Sequence, residues 1–161
     1  MTKIIMHGCG GKMGHVVANI VANDANCEIV AGVDPRSAEE LAFPVFQNIA
    51  DCNVAADVII DFSTATAVDA LLDYAKEKHI PAIICTTALS QETLAHLEEV
   101  SKSVAILKSA NMSVGVNLLL ELVQRAAVVL AQNGFDIEIV EKHHNQKIDA
   151  PSGTAMALAN A

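Results

Sequence analysis

A doubly wound parallel α/β sheet, followed by the start of an α+β unit, is the architecture this sequence predicts. Three observations carry it. Short apolar runs of strand length alternate with segments whose apolar residues recur at helical spacing, the pattern of βαβ units. A glycine-rich heptad, GCGGKMG at residues 8–14, joins the first run to the first helical segment. The composition is 52% hydrophobic but only 3% aromatic, with no Trp, so the core must be built from Val, Ile, Leu and Ala. Those residues suit a sheet covered by helices on both faces.

The elements follow in order. KIIMH, residues 3–7, is a buried strand ending in glycines. Met13, Val16, Val17, Ile20 and Val21 keep i, i+3, i+4, i+7, i+8 spacing and predict a helix whose apolar face they form. CEIVAGV, residues 27–33, is a second strand, ending at Asp34-Pro35. Residues 35–57 fit no single element and read as loop with a short helix or strand inside it. VIIDF, residues 58–62, is a strand. Residues 67–78 are helical, with Leu71, Leu72 and Ala75 on one side. PAIICT, residues 81–86, is a strand, Ser90 N-caps a helix running through Val100, and VAIL, residues 104–107, is a further strand.

After Ser109 the character changes, and the spacing predicts a domain boundary near 110–114: a first domain at 1–113 and a second, incomplete one at 114–161. Residues 114–132 form one long helical pattern closed by Asn133-Gly134. In 135–142, Phe135, Ile137 and Ile139 alternate with Asp136 and Glu138, which predicts a half-buried strand.

Charge and composition exclude several classes. With 10 basic and 19 acidic residues the formal net charge is −9. Such a surface repels phosphate backbones and anionic bilayers, which argues against nucleic-acid and membrane partners. The apolar stretch 114–130 is interrupted by Asn117, Glu121, Gln124 and Arg125 and is not read as a membrane span. The N-terminal apolar run is too short for a signal peptide. Cys9, Cys27, Cys52 and Cys85 form no CxxC pair and read as free thiols in a reducing cytosol.

The glycine loop spans Gly8, Cys9, Gly10, Gly11, Lys12, Met13 and Gly14. A turn this tight from strand to helix lets backbone N–H groups approach a pyrophosphate at the helix N-terminus. Glycine spacing alone also describes a tight turn; strand, loop and amphipathic helix together point to a dinucleotide site. Asp34, twenty residues past Gly14, ends the second strand, where a carboxylate accepts hydrogen bonds from the adenosine ribose of NAD. The plainer alternative is a turn-forming Asp before Pro. Arg36 is placed to meet a 2′-phosphate, so NADH and NADPH both stay open.

EKHHNQKIDAPSGTA, residues 141–155, carries the remaining chemistry. A metal reading is weak: His143 and His144 are adjacent, so on an extended chain they point apart, and no second ligand cluster pairs with them. A solvated loop is the bland alternative. An acid–base reading explains more. A histidine donates protons near neutral pH, and Lys147 adds a fixed positive charge in an otherwise acidic chain. Pro151-Ser152-Gly153-Thr154 opens a helix whose free N–H groups make a carboxylate cradle, capped by either Asp149 or Ser152.

This stretch resembles the E-x-H-H-x-x-K-x-D-A-P-S-G-T-A motif of the 4-hydroxy-tetrahydrodipicolinate (dihydrodipicolinate) reductase family. GCGGKMG, DFS at 61–63 and SANMSVGVN at 109–117 resemble the family in the same order along the chain. The resemblance implies a cytoplasmic enzyme of lysine and diaminopimelate biosynthesis, using NADH or NADPH to reduce a cyclic dicarboxylate at C4. It implies that His143 is the general acid with Lys147 as its partner, and that His144, Gly153 and Thr154 bind substrate. Gly8, Cys9, Gly10, Gly11, Lys12, Met13 and Asp34 would hold the adenosine diphosphate half. Cys85, Thr86 and Thr87, with Ser109, Ala110, Asn111 and Met112, would line the nicotinamide side.

Two departures stand out. The family's G-T-T-G is Cys85-Thr86-Thr87-Ala88 here, which is expected to tighten the pocket or shift the cofactor. Family members are also longer, so the sequence reads as a C-terminally truncated member. The strand at 135–142 would then lack sheet neighbours, favouring self-association, and the family assembles as a tetramer through that sheet. The competing expectation is a non-catalytic module that binds NAD(P)H without turning over substrate.

Overall fold

The computed structural model describes residues 1–36, 41–109, 111–145, 147 and 150–161. They fall into two compact units, Met1–Ser109 and Ala110–Ala161. In the first unit the chain runs β1 (Thr2–His7), α1 (Lys12–Ala22), β2 (Cys27–Val33), β3 (Val45–Phe46), β4 (Val58–Asp61), α2 (Val68–Lys78), β5 (Ala82–Ile84), α3 (Gln91–Ser101) and β6 (Ile106–Lys108). Among the described residues the six strands make one sheet in the order β3-β2-β1-β4-β5-β6. Every pairing is parallel, with His7 opposite Val33 on one side and Asp61 on the other. The order reverses between β1 and β4, so the loops after these two strands part and leave a crevice. This is the predicted doubly wound α/β fold.

The core is aliphatic, as the composition requires. Ile5, Val33, Ile59 and Ile84 from the sheet pack with Val68, Leu71, Leu72 and Ala75 of α2 and Val100 of α3. The Ser90 cap is as predicted, its hydroxyl accepting from Thr93 N–H at 3.0 Å. The segment 35–57 contributes the two-residue strand β3 and a 3-10 turn at Ile49–Asp51. Tyr74 of α2 ties this region down by donating its hydroxyl to Cys52 O at 2.8 Å. The last two strands are shorter than or displaced from the apolar runs at 81–86 and 104–107.

The inward face of α1 differs from the one expected. Gly14 and Val21 are buried and Val17 is half-buried, whereas Met13, Val16 and Ile20 are exposed. Gly14 sets this rotation. A Cβ there would lie 2.4 Å from Gly8 O and 2.5 Å from Cys9 O, so the helix is drawn against the loop along its glycine edge. Val17 and Val21, three and seven residues on, then turn inward.

The second unit holds α4 (Val114–Gln132) and α5 (Gly153–Asn160). Ser113 caps α4, and Gly134, at φ +82°, closes it, with Phe135 N–H reaching back to Leu130 O at 3.2 Å. Val116, Leu120, Val123 and Ala127 form its half-buried stripe. By length and composition alone, α4 is long and apolar enough to cross a membrane. It also carries a Glu121–Arg125 ion pair at 2.6 Å. The strand expected at 135–142 is not formed. The alternation is present, but no described segment of this unit pairs with it, and Phe135, Ile137, Ile139 and Val140 are exposed. A strand is defined by its ladder, and sequence alternation does not supply one.

Candidate functional site

The crevice between β1 and β4 is built from the glycine loop. Gly8 sits at φ +82°, a left-handed conformation that glycine adopts without cost, and a Cβ there would lie 2.5 Å from Phe62 O. Gly8 N–H donates to Val33 O at 2.8 Å and Phe62 N–H to His7 O at 2.9 Å, so the loop is fastened to both neighbouring strands. Gly11 is the N-cap of α1 and supplies no side-chain acceptor, leaving the first-turn N–H groups open for an anion. His7, Gly8, Gly11, Asp34, Arg36 and Ser63 line the cleft.

Asp34 stands where expected and is already engaged. Its Oδ2 accepts from Gly10 N–H at 3.1 Å and its Oδ1 from Arg36 N–H at 2.9 Å. The carboxylate therefore braces the glycine loop as well as facing the cleft. Cys9 is buried in that loop; burial and the Asp34 charge push its thiol up to about 11. Lys12 and Met13 are exposed on the first turn of α1.

After β5, Cys85 and Thr86 are buried and Thr87 is exposed. Burial and the charge of Asp61 push the Cys85 thiol up to about 11, so it is a neutral packing group at neutral pH. Ala88 adopts φ +58°, the conformation a glycine would take without strain. Ser109 N–H donates to Ile84 O at 3.0 Å, and Ala110 lies outside the described residues.

The sequence reading missed a buried pair at the floor of this cleft. His7 Nδ1 and Asp61 Oδ1 are 2.7 Å apart at the facing ends of β1 and β4, and Ser63 N–H also donates to Asp61 Oδ1 at 3.2 Å. Burial pushes the Asp61 carboxyl up, but hydrogen bonds from His7 and Ser63, the nearby Thr86 and the His7 charge together hold it below the ordinary value. The available signal was register: His7 ends one apolar run and Asp61 lies near the end of the other, and parallel pairing places the two side by side.

In the second unit, Glu141 organises the 141–155 stretch. Its Oε1 accepts from Ser152 N–H at 2.8 Å, and its Oε2 lies 3.5 Å from His143 Nδ1. The hydrogen bonds with Ser152, followed by the charges of His143 and Lys147, lower the Glu141 carboxyl below its ordinary range. Ser152 is the cap of α5, its hydroxyl accepting from Ala155 N–H at 3.0 Å; Asp149, the other candidate, lies outside the described residues. Lys147 N–H closes a turn onto His144 O at 3.2 Å, which brings the two residues onto one tight bend. Thr154 Oγ1 accepts from Asn111 Nδ2 at 3.1 Å, so the Thr154 hydroxyl keeps its own proton to donate. Gly153 begins the helix beside it. Met112 is half exposed next to Asn111. Glu141 stood in the motif without an evident role, because its hydrogen-bond donor Ser152 lies eleven residues downstream.

A glycine loop opening a helix at the switch point of a parallel sheet defines a dinucleotide-binding α/β protein of the Rossmann type. Residues 2–112 match the family model described as dihydrodipicolinate reductase, N-terminus, and residues 115–161 match its C-terminus model. The chain belongs to the dihydrodipicolinate reductase family. The 4-hydroxy-tetrahydrodipicolinate reductase of Clostridium novyi (strain NT) is 49% identical over 160 residues, covering 99% of this chain and 63% of the relative. That of Caldanaerobacter subterraneus subsp. tengcongensis is 51% identical over 161 residues, 100% of this chain and 63% of the relative. A dipicolinate-bound dihydrodipicolinate reductase from Paenisporosarcina sp. TG-14 superposes with a TM-score of 0.76 at 28% identity, over 99% of this chain and 64% of the other. The chain thus spans 63% of the length of these curated relatives. The match over 115–161 takes in α4 from Gly115 onward.

Proposed function

We propose that this chain carries the cofactor cleft and catalytic motif of an NAD(P)H-dependent 4-hydroxy-tetrahydrodipicolinate reductase of lysine and diaminopimelate biosynthesis, working in the cytoplasm. The observation that carries the reading is the Glu141–His143–Ser152 arrangement, in which one carboxylate lies 3.5 Å from a histidine ring nitrogen and accepts from the N–H at the mouth of the following helix. The first unit is the dinucleotide-binding domain and the second the substrate-binding, catalytic one.

The cleft fits a dinucleotide. The uncapped first turn of α1 and the Gly8–Met13 backbone receive the diphosphate, while Asp34 and Arg36 face the adenosine ribose. Within the first unit, Cys85, Thr86, Thr87 and Ser109 serve the nicotinamide side. When bound, NAD(P)H supplies the hydride for C4 of the substrate.

The second unit binds and protonates. Glu141 faces Nδ1 of His143, which leaves Nε2 to deliver a proton to the carbon neighbouring C4. Lys147 partners His143 in the proton donation and His144 holds substrate. A substrate carboxylate takes the Gly153 and Thr154 N–H groups and the Thr154 hydroxyl, which Asn111 orients. The exposed apolar residues of 135–140 favour assembly of several copies.

Oxidation of NADH on freshly generated substrate tests the reading. We expect dicarboxylate-dependent turnover, with His143→Gln and Lys147→Ala each lowering kcat roughly 10²-fold while NADH affinity holds. NADH binding without dicarboxylate-dependent oxidation would overturn it.

A further inference from the structure

We propose that His7 contacts the bound dinucleotide: Asp61 fixes its ring through Nδ1, and Nε2 donates a hydrogen bond to the diphosphate. The inference rests on the cofactor cleft assigned above and adds a residue to it. His7 is 5% exposed and lines the cleft, immediately before the loop that receives the diphosphate. Its Nδ1 is spent on Asp61 Oδ1 at 2.7 Å. Nε2 has no hydrogen-bond partner among the described residues and is not one of the sealed unpaired atoms, so it stays open to the cleft that His7 lines.

Asp61 makes the assignment directional. It is fully buried, and a sealed carboxylate accepts only. Nδ1 must therefore carry hydrogen and donate to it. A diphosphate likewise offers only acceptors, so contact at Nε2 requires a second ring proton. The bound form is then an imidazolium whose charge is balanced by Asp61 beneath and by the diphosphate above. If the free cleft holds neutral imidazole, binding takes up one proton from solvent at Nε2 and no bond is made or broken elsewhere. The contact depends on that second ring proton, so the affinity must fall as pH rises.

The other groups facing this corner come from four segments. Asp61 and Ser63 belong to β4 and its following loop, and Thr86 follows β5. Asp34 and Arg36 follow β2 and line the same cleft. Cys9 and Cys85, both pushed up to about 11, keep their protons throughout the neutral range. His7 is the histidine among the cleft's lining residues.

The experiment is calorimetric titration of the chain with NADH, whose diphosphate diester does not itself titrate near neutrality. Titrations run across about pH 6 to about pH 8.5, in paired buffers of different ionisation enthalpy. We expect Kd to rise roughly tenfold over that span and a fractional proton to be taken up per NADH bound. His7→Gln retains a donor near the position of Nε2 that does not titrate, and is expected to flatten the profile. Buffer-independent heats with a pH-flat wild-type Kd overturn the proposal while leaving the cofactor assignment standing. So does a His7→Gln protein that keeps the wild-type slope. Absence of NADH binding at any pH overturns both. Should the variant fail to fold, the wild-type proton uptake decides alone.

Discussion

Glu141 Oε1 accepts a hydrogen bond from Ser152 N–H at 2.8 Å. Through it, the residue that faces His143 also fixes the start of the helix proposed to hold a substrate carboxylate. Glu141→Gln keeps the shape and an amide oxygen for Ser152 but loses the charge opposite His143. Turnover is expected to fall about tenfold with KM changed less. Glu141→Ala, which frees Ser152 as well, is expected to raise KM in addition. Steady-state kinetics of the two variants separate these effects; equal losses in both would show that the charge, and not the helix anchor, is what matters. The depressed Glu141 carboxyl also gives a sign. The contribution of these contacts to stability is present above the unfolded value near 4.5 and is lost as pH falls through the lower folded value.

Asp61 should dominate acid sensitivity in the first unit. Its carboxyl is held below the ordinary 3.8 despite full burial, so its stabilisation is intact above that value and disappears as pH falls below it. Asp61→Ala leaves His7 and Ser63 N–H facing an unfilled space and is expected to cost about 3 kcal/mol. Chemical denaturation at neutral pH measures that loss. The variant's stability should also fall less steeply than wild type's on acidification, and an unchanged acid limb would refute the role.

Gly14→Ala probes a close approach between helix α1 and the glycine loop. The added Cβ would meet Gly8 O and Cys9 O at 2.4 and 2.5 Å, and both contacts are backbone, which cannot swing aside. The helix must back away from the loop. We expect a loss of about 2 kcal/mol and a weakening of NADH binding in excess of what Gly115→Ala produces. Gly115 is the natural control, since a Cβ there meets only the Ser113 hydroxyl at 3.9 Å.

How much of this was legible depends on what each feature needed. Strand and helix order followed from periodicity, because apolar burial against two helical layers leaves that pattern directly. The Ser90 cap followed from residue type. The inward face of α1 did not, because five apolar residues suggested one stripe and the determinant was a missing Cβ at Gly14. The strand at 135–142 did not form, because alternation states a preference that only a partner can satisfy. The His7–Asp61 pair depended on register between strands 54 residues apart. Glu141 was visible in the motif, but its hydrogen bond to Ser152 depends on the chain folding back across eleven residues.

Ala88 offers a test in the opposite direction, of a stabilising change. It stands at φ +58° where the family motif has glycine. A non-glycine residue in this region costs about 1–2 kcal/mol. Restoring glycine removes that strain but returns about 0.4–1 kcal/mol of chain entropy to the unfolded state. The difference favours Ala88→Gly by roughly 0.5 kcal/mol, small but measurable as a rise in thermal midpoint. The neighbouring Cys85→Gly should behave differently: its side chain is buried, so removing it opens a void and lowers the midpoint. Thermal unfolding of the two single variants under identical conditions gives the comparison. A fall in midpoint for Ala88→Gly would mean that the alanine methyl makes packing contacts that outweigh the backbone strain.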